Sequence, residues 1–223
     1  MSLTYKCVIL DHDDTAVDGT ARVHYPAHVR AMSILRPGAE PVDLDGWFRK
    51  NFDPGILSFL RDELGMSEAE LELEHVIWRE FTTRDQPQFY PGLLEALAAY
   101  RALGGRIVVV SHSESDIILG HYRQAGGHPP LEPDLVFGWE AGEGRRKPNP
   151  FPVLETLSRF GLAPHEVVVV DDLKPGVEMA KAAGVPVAAA GWAHQIPEIR
   201  SYMKAHSVAY LETTAAFREF ILS

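Results

Sequence analysis

Apolar residues fall along this chain in short unbroken runs, separated by longer stretches with helical spacing. The runs are CVIL (7–10), RIVVV (106–110), DLVFG (134–138), EVVVV (166–170), VPVAAA (185–190) and SVAYL (207–211). β-Branched residues are frequent in them and none alternates apolar with polar, so they read as strands buried on both faces of a parallel sheet. Between them lie GLLEALAAYRALGG (92–105), PFPVLETLSRFG (150–161) and GVEMAKAAG (176–184). Each is helix-like and closes on glycine, which readily takes the left-handed conformation that ends a helix. Strand–helix alternation of this kind predicts an α/β sheet with crossover helices.

One interval breaks the rhythm. From Asp18 to about Pro87 no strand pattern occurs, and HVRAMSIL, LDGWFRK, GILSFLRDELG and SEAELELEHVIWREFTTR all read as helices. Ser67 followed by Glu70 is a capping-box start for the last of them. The expected organisation is a core of residues 1–17 and 88–223 interrupted by a helical domain at 18–87, with re-entry near Tyr90–Pro91–Gly92.

Composition narrows the partners. Of 223 residues, 46% are hydrophobic and 23% charged, enough for a sizeable core in a globular protein. A formal net charge of −10 argues against nucleic acid and anionic membrane surfaces as partners, though a local basic or metal site can still attract a small anion. The single cysteine, Cys7, lies inside an apolar run and reads as a small core residue. No disulfide can form within the chain, which fits a reducing compartment. No signal-peptide pattern or membrane-length apolar stretch occurs, and a cytoplasmic location is expected.

The candidate chemistry sits where the apolar runs stop. CVIL ends at Asp11, with Asp13 and Asp14 close behind; RIVVV ends at Ser111; EVVVV ends at Asp171–Asp172; and Lys147 stands in RRKPNP just before a helix. Three carboxylates in four positions repel, at about 1 kcal/mol or more per pair once partly shielded from water. A divalent cation would cancel that repulsion, held by oxygens of Asp11 and Asp172. A carboxylate can also attack phosphorus, and Asp13, two residues on, is placed to protonate the leaving oxygen and then to deprotonate water. Ser111 can hydrogen-bond phosphoryl oxygens and Lys147 can neutralise their charge. Each station alone has a simpler account. The aspartates after CVIL form turns, Ser111 caps a helix near Glu114, Lys147 is a solvated cation beside Arg145 and Arg146, and Asp171–Asp172 cap a helix near Pro175. Their conjunction, in one order along a parallel sheet, favours phosphoryl transfer.

At these residues the chain resembles the haloacid dehalogenase-like hydrolase superfamily. VILDHDDT is similar to the first motif of that family, VVVSHS to the second, and RRKPNPFPVLETLSRFGLAPHEVVVVDD to the third and fourth. The resemblance implies a Rossmann-like core with helices on both faces, an inserted helical cap and a Mg²⁺ requirement. It implies Asp11 as nucleophile, Asp13 as acid/base, and Ser111 and Lys147 as phosphoryl contacts. The metal is expected on Asp11, the Asp13 carbonyl and Asp172, with Asp171 as a further ligand or a support. Ser111, His112, Lys147, Arg22, His24, Arg49 and Lys50 are the expected substrate contacts, the last four from the cap.

The expected function is hydrolysis of a small phosphorylated metabolite, by a monomer or homodimer. The presence of Asp13 favours phosphorus over carbon–halogen chemistry. The alternatives are a sugar-phosphate mutase, for which Thr20, His24 and Ala27 resemble the cap entry of β-phosphoglucomutase-like members, and a silent member that only binds a metabolite. Two positions depart from the family pattern: Asp14 replaces the usual glycine, and Gly176 stands where a second acid sometimes occurs. His12 is expected to point away from the aspartates, as a packing or cap-contact residue. His24 and His28 have the spacing of a metal pair on a helix but lack a third ligand.

Overall fold

The computed structural model describes residues 3–126 and 131–223. The chain forms two compact units, one of Met1–Val17 with Phe89–Ser223 and one of Asp18–Gln88.

The first unit is built on six parallel strands in the order β3-β2-β1-β4-β5-β6. They are β1 (Cys7–Leu10), β2 (Arg106–Val110), β3 (Leu135–Phe137), β4 (Val167–Asp171), β5 (Val187–Ala190) and β6 (Ala209–Leu211). Every residue of β1, β4 and β5 is buried, and so is all of β2 after Arg106, as continuous apolar runs require. The two edge strands differ from that expectation. β3 and most of β6 are only half-buried, because an edge strand has a neighbour on one side.

Alternation along the strands divides the core. Val8, Leu10, Ile107, Val109, Val168 and Val170 pack with Leu93, Leu97 and Tyr100 of α5 (Leu93–Ala102), Ile118 and Tyr122 of α6 (Ser115–Gln124), and Phe217 and Ile221 of α10 (Thr214–Ile221). Cys7, Ile9, Val108 and Val169 face the other way, and α8 (Lys174–Ala183) and α9 (Pro197–His206) pack on β4, β5 and β6. The remaining core helix, α7 (Phe151–Phe160), ends at Gly161, and α8 ends at Gly184, both glycines in the left-handed conformation. Helices α9 and α10 carry few buried apolar positions, Ile199 with Met203 and Phe217 with Ile221, which is why no periodic signal announced them. Cys7 is fully buried, and burial pushes its thiol up to about 12, so it is an inert core residue.

The second unit is helical, with α1 (Tyr25–Leu35), α2 (Leu44–Phe52), α3 (Ile56–Ser58) and α4 (Glu68–Arg84). Wider π-type turns precede α1 at Thr20–His24 and extend α3 through Phe59–Glu63. Asp43 caps α2 by accepting from the Gly46 amide at 2.7 Å, and the Ser67–Glu70 capping box starts α4. Met32, Trp47, Phe59, Leu60 and Met66 form its core. Its two ends meet, the Asp18 amide bonding the Gln88 carbonyl at 3.0 Å and the Gln88 amide the Asp18 carboxylate at 2.7 Å. Among the described residues no helix is long and apolar enough to cross a membrane.

Candidate active site

Strand order reverses direction at β1, so β1 and β4 are neighbours whose connections run to opposite sides. Crevices that hold ligands open at the carboxyl ends of strands at such a point. Asp11 follows β1 there, its amide bonded to the Val170 carbonyl at 2.9 Å, and Asp171 ends β4 beside it. Oxygens of Asp11, Asp171 and Asp172, all three residues buried, lie within 4.8 Å of one another. Lys147, 9% exposed, reaches into this group, its Nζ 2.5 Å from Asp11 Oδ1 and 2.8 Å from Asp171 Oδ2. It is no solvated loop cation.

One ammonium among three carboxylates leaves the cluster electron-rich. Burial, reinforced by Asp171 and Asp172, holds the Asp11 carboxyl well above the usual carboxylate range despite the pull of Lys147. Burial with Asp172 raises Asp171 in the same direction. Burial alone would depress the Lys147 ammonium, but Asp11 and Asp171 hold it above its ordinary value, so it stays charged. Asp171 is fully engaged: its Oδ1 accepts from the Leu173 amide at 2.9 Å and its Oδ2 from Lys147. Asp172 is not. Its Oδ1 takes a 3.3 Å hydrogen bond from Thr15, itself braced by Trp192 Nε1 on the Thr15 carbonyl at 3.1 Å. Its Oδ2 is buried without a hydrogen bond, with His194 Nε2 3.6 Å away. Excess carboxylate charge, an orphaned oxygen on Asp172 and a hard all-oxygen donor set fit a divalent cation.

The departure at Gly176 has a steric reason. A Cβ there would lie 2.1 Å from Asp171 Cγ, so the helix after β4 can approach Asp171 only with glycine at that position. Asp14 has φ 65°, the left-handed conformation in which the family's usual glycine is free and in which aspartate is better tolerated than most residues.

Asp13 is held from β2. Its Oδ2 accepts from Ser111 Oγ at 3.1 Å and from Ser113 Oγ at 2.7 Å, and the Ser113 amide donates back to Ser111 Oγ at 3.0 Å. Ser111 is therefore not a helix cap; Glu114 occupies that position of α6. Ser113 was missed from the sequence, although Ser-x-Ser after a strand places two hydroxyls on one side. His112 donates from Nε2 to the Lys147 carbonyl at 2.8 Å, tying the β2 end to the lysine loop. Burial, with Lys147 beside it, drops its ring to about 4, so it is neutral. His12 turns into the core, where its Nε2 pairs with His121 Nδ1 at 2.9 Å and the two rings stack at 5.2 Å.

The other expected substrate contacts belong to the second unit, where Arg22, His24 and Lys50 have partners within it. Arg22 pairs with Asp18 one helical turn away, and Lys50 pairs with Glu63 and lies 5.4 Å from the Phe59 ring. Arg49 and Lys50 occupy the last turn of α2, ahead of Gly55 at φ 98°. His24 Nδ1 accepts from Trp78 Nε1 at 2.9 Å. His28 packs 4.2 Å from the Trp47 ring, and burial lowers it to about 4. His24 and His28 thus serve separate contacts.

A family model described as haloacid dehalogenase-like hydrolase matches residues 5–184. The chain belongs to the haloacid dehalogenase-like hydrolase family. It is 33% identical over 187 residues to the phosphoglycolate phosphatase of Nitrosospira multiformis, covering 82% of this chain and 81% of that protein. It is 28% identical over 217 residues to hexitol phosphatase A of Escherichia coli, covering 94% of each. A solved haloacid dehalogenase-like protein from Agrobacterium tumefaciens superposes with a TM-score of 0.73 at 22% identity, over 97% of both chains. The parallel sheet and inserted helices are the architecture of this haloacid dehalogenase-like fold.

Proposed function

We propose that this family member is a Mg²⁺-dependent phosphatase that hydrolyses a small phosphate monoester through an aspartyl phosphate on Asp11. The observation that carries the reading is Lys147 bridging Asp11 and Asp171 at 2.5 and 2.8 Å, beside the unbonded Asp172 oxygen. Phosphatase relatives along most of the chain support it, and phosphoglycolate phosphatases among them point to a small phosphorylated acid as substrate.

Lys147 occupies Asp11 Oδ1, leaving Oδ2, which accepts no hydrogen bond among the described residues, to attack phosphorus. Asp13, fixed by Ser111 and Ser113, protonates the leaving oxygen. It then takes the proton from the water that hydrolyses the aspartyl phosphate. Ser111 and Lys147 stabilise the phosphoryl oxygens, with His112 holding the lysine loop in place. Asp11, Asp172 and the Asp13 carbonyl would hold Mg²⁺, which when bound offsets the carboxylate charge and polarises the phosphoryl group, while Asp171 positions Lys147 behind them. Leaving-group recognition is assigned to the second unit, through Arg22, His24, Arg49 and Lys50.

Phosphate release from 2-phosphoglycolate and a panel of monoesters, with Mg²⁺ and with chelator, tests the reading. Asp11→Asn is expected to lower turnover by about 10⁴-fold or more with the fold intact, as removal of a covalent nucleophile does. Undiminished release from the pure variant would reject the mechanism.

A further inference from the structure

Arg146 departs from every other well-buried charge in the first unit. It is 8% exposed, with the guanidinium carbon 3.4 Å from the centroid of the Trp139 ring. Among the described residues its guanidinium donates no hydrogen bond and no carboxylate lies within ion-pair distance, yet none of its nitrogens is sealed from solvent. Arg101 and Arg106, by contrast, share Asp134, and Arg123 pairs with Glu132. Burial opposes its charge and only Glu143, beyond ion-pair distance, supports it. A partly desolvated guanidinium of this kind is unfavourable, and a stacked one presents its N–H edge in a fixed plane that suits a bidentate oxyanion.

Its place is telling. The Trp139 amide bonds the Ser113 carbonyl at 2.9 Å, next to the hydroxyl that holds Asp13. The ring of His112 meets Trp139 edge-on at 6.2 Å, and its Nε2 holds the carbonyl of Lys147, the residue after Arg146. Arg145, one residue earlier, is exposed and lies 4.9 Å from the Phe151 ring instead. The adjacent cations therefore divide, Lys147 to Asp11 and Arg146 to an aromatic shelf whose backbone is tied to Ser113, the residue that holds Asp13.

We propose that Arg146, stacked on Trp139, is a second anion subsite that binds an oxyanion of the substrate distinct from the phosphoryl group being transferred. The proposal rests on the phosphatase reading and deepens it to substrates carrying two anionic groups. A carboxylate and a second phosphate share the required chemistry.

The test compares kcat/KM for 2-phosphoglycolate, for fructose 1,6-bisphosphate and for 2-hydroxyethyl phosphate, which carries an alcohol in place of the carboxylate. Arg146→Gln is expected to lower the ratio of a substrate carrying a second anionic group to 2-hydroxyethyl phosphate by about 10- to 100-fold, the worth of a charge-assisted pair. Whichever of the two substrates with a second anionic group shows the fall identifies the oxyanion as carboxylate or phosphate. A merely structural arginine would depress all three substrates in parallel and leave the ratios within twofold, which overturns the proposal. If the Gln variant does not fold, Arg146→Lys keeps the charge and loses the fork. A fall of at least threefold in the same ratio supports the subsite, and an unchanged ratio overturns it. Calorimetric titration of 2-phosphoglycolate and 2-hydroxyethyl phosphate into Asp11→Asn, with and without Arg146→Gln, reads the subsite without turnover. Weaker phosphoglycolate binding there sustains the subsite even if wild type releases no phosphate; equal binding removes it whether or not the enzyme is a phosphatase.

Discussion

The two units treat their charged residues in opposite ways. In the first, Asp11, Asp171, Asp172 and Lys147 are gathered under cover at the strand ends, where burial and their neighbours' charges shift the ionisation of Asp11, Asp171 and Lys147. In the second, Arg22 and Lys50 pair with neighbours in partly exposed places, where such pairs are worth little. The contrast separates chemistry from recognition. On the proposed reading, the groups that would change bonding are held in a low-dielectric cluster by several strand ends at once, whereas the groups proposed to select a substrate stand on helix surfaces that can vary without disturbing the fold.

The difference can be broken most severely at Lys147. Lys147→Met leaves Asp11 and Asp171 buried without their cation and is expected to destabilise the metal-free protein by about 3–5 kcal/mol, in addition to abolishing turnover. Denaturant unfolding and phosphate release measure the two effects, and added divalent cation should restore part of the stability.

Acid should loosen both units through histidines. His28 and His112 sit near 4 when folded against 6.5 in an open chain, both because of burial. Above 6.5 each is neutral in either state; below it the unfolded chain takes up protons that the fold refuses. Stability therefore falls as pH drops from about 6.5 to about 4 and levels off beneath, by about 1.4 kcal/mol per unit and histidine. His28→Phe should flatten the part of that slope that belongs to the second unit, as followed by urea midpoints across pH. A slope identical to wild type would contradict the assignment.

The smallest effect is expected at Lys50. Lys50→Met removes the half-exposed pair with Glu63 and should change stability by less than about 0.5 kcal/mol, while altering the ranking of phosphate esters. A loss of stability as large as that at Lys147 would erase the distinction between the units.

Much of this arrangement was legible before any coordinates. β-Branched runs marked the strands because strands covered on both faces need apolar residues at every position, and the polar residue after each run marked the site because ligands gather at strand ends. Asp14 stood out only against the family's usual glycine, and its positive φ shows why a glycine serves there, aspartate being better tolerated in that conformation than most residues. What escaped was tertiary. Ser113 looked like an ordinary loop serine until Asp13 was found on it. His12 was legible as pointing away from the aspartates, but its partner His121 lies 109 positions along the chain. Gly176 showed itself as a missing acid, whereas its meaning is the room it leaves for Asp171. Arg146 appeared as one of three basic residues in a row, and only the aromatic shelf on the far side of a loop distinguishes it.

The most direct test of the central claim is to trap the covalent intermediate. Enzyme mixed with 2-phosphoglycolate and Mg²⁺, quenched during turnover and reduced with borohydride, is digested and read by mass spectrometry. Reduction converts an aspartyl phosphate to homoserine, and the account predicts that modification at position 11 and at no other aspartate, absent without substrate. Brisk phosphate release with residue 11 unmodified and homoserine elsewhere would contradict it.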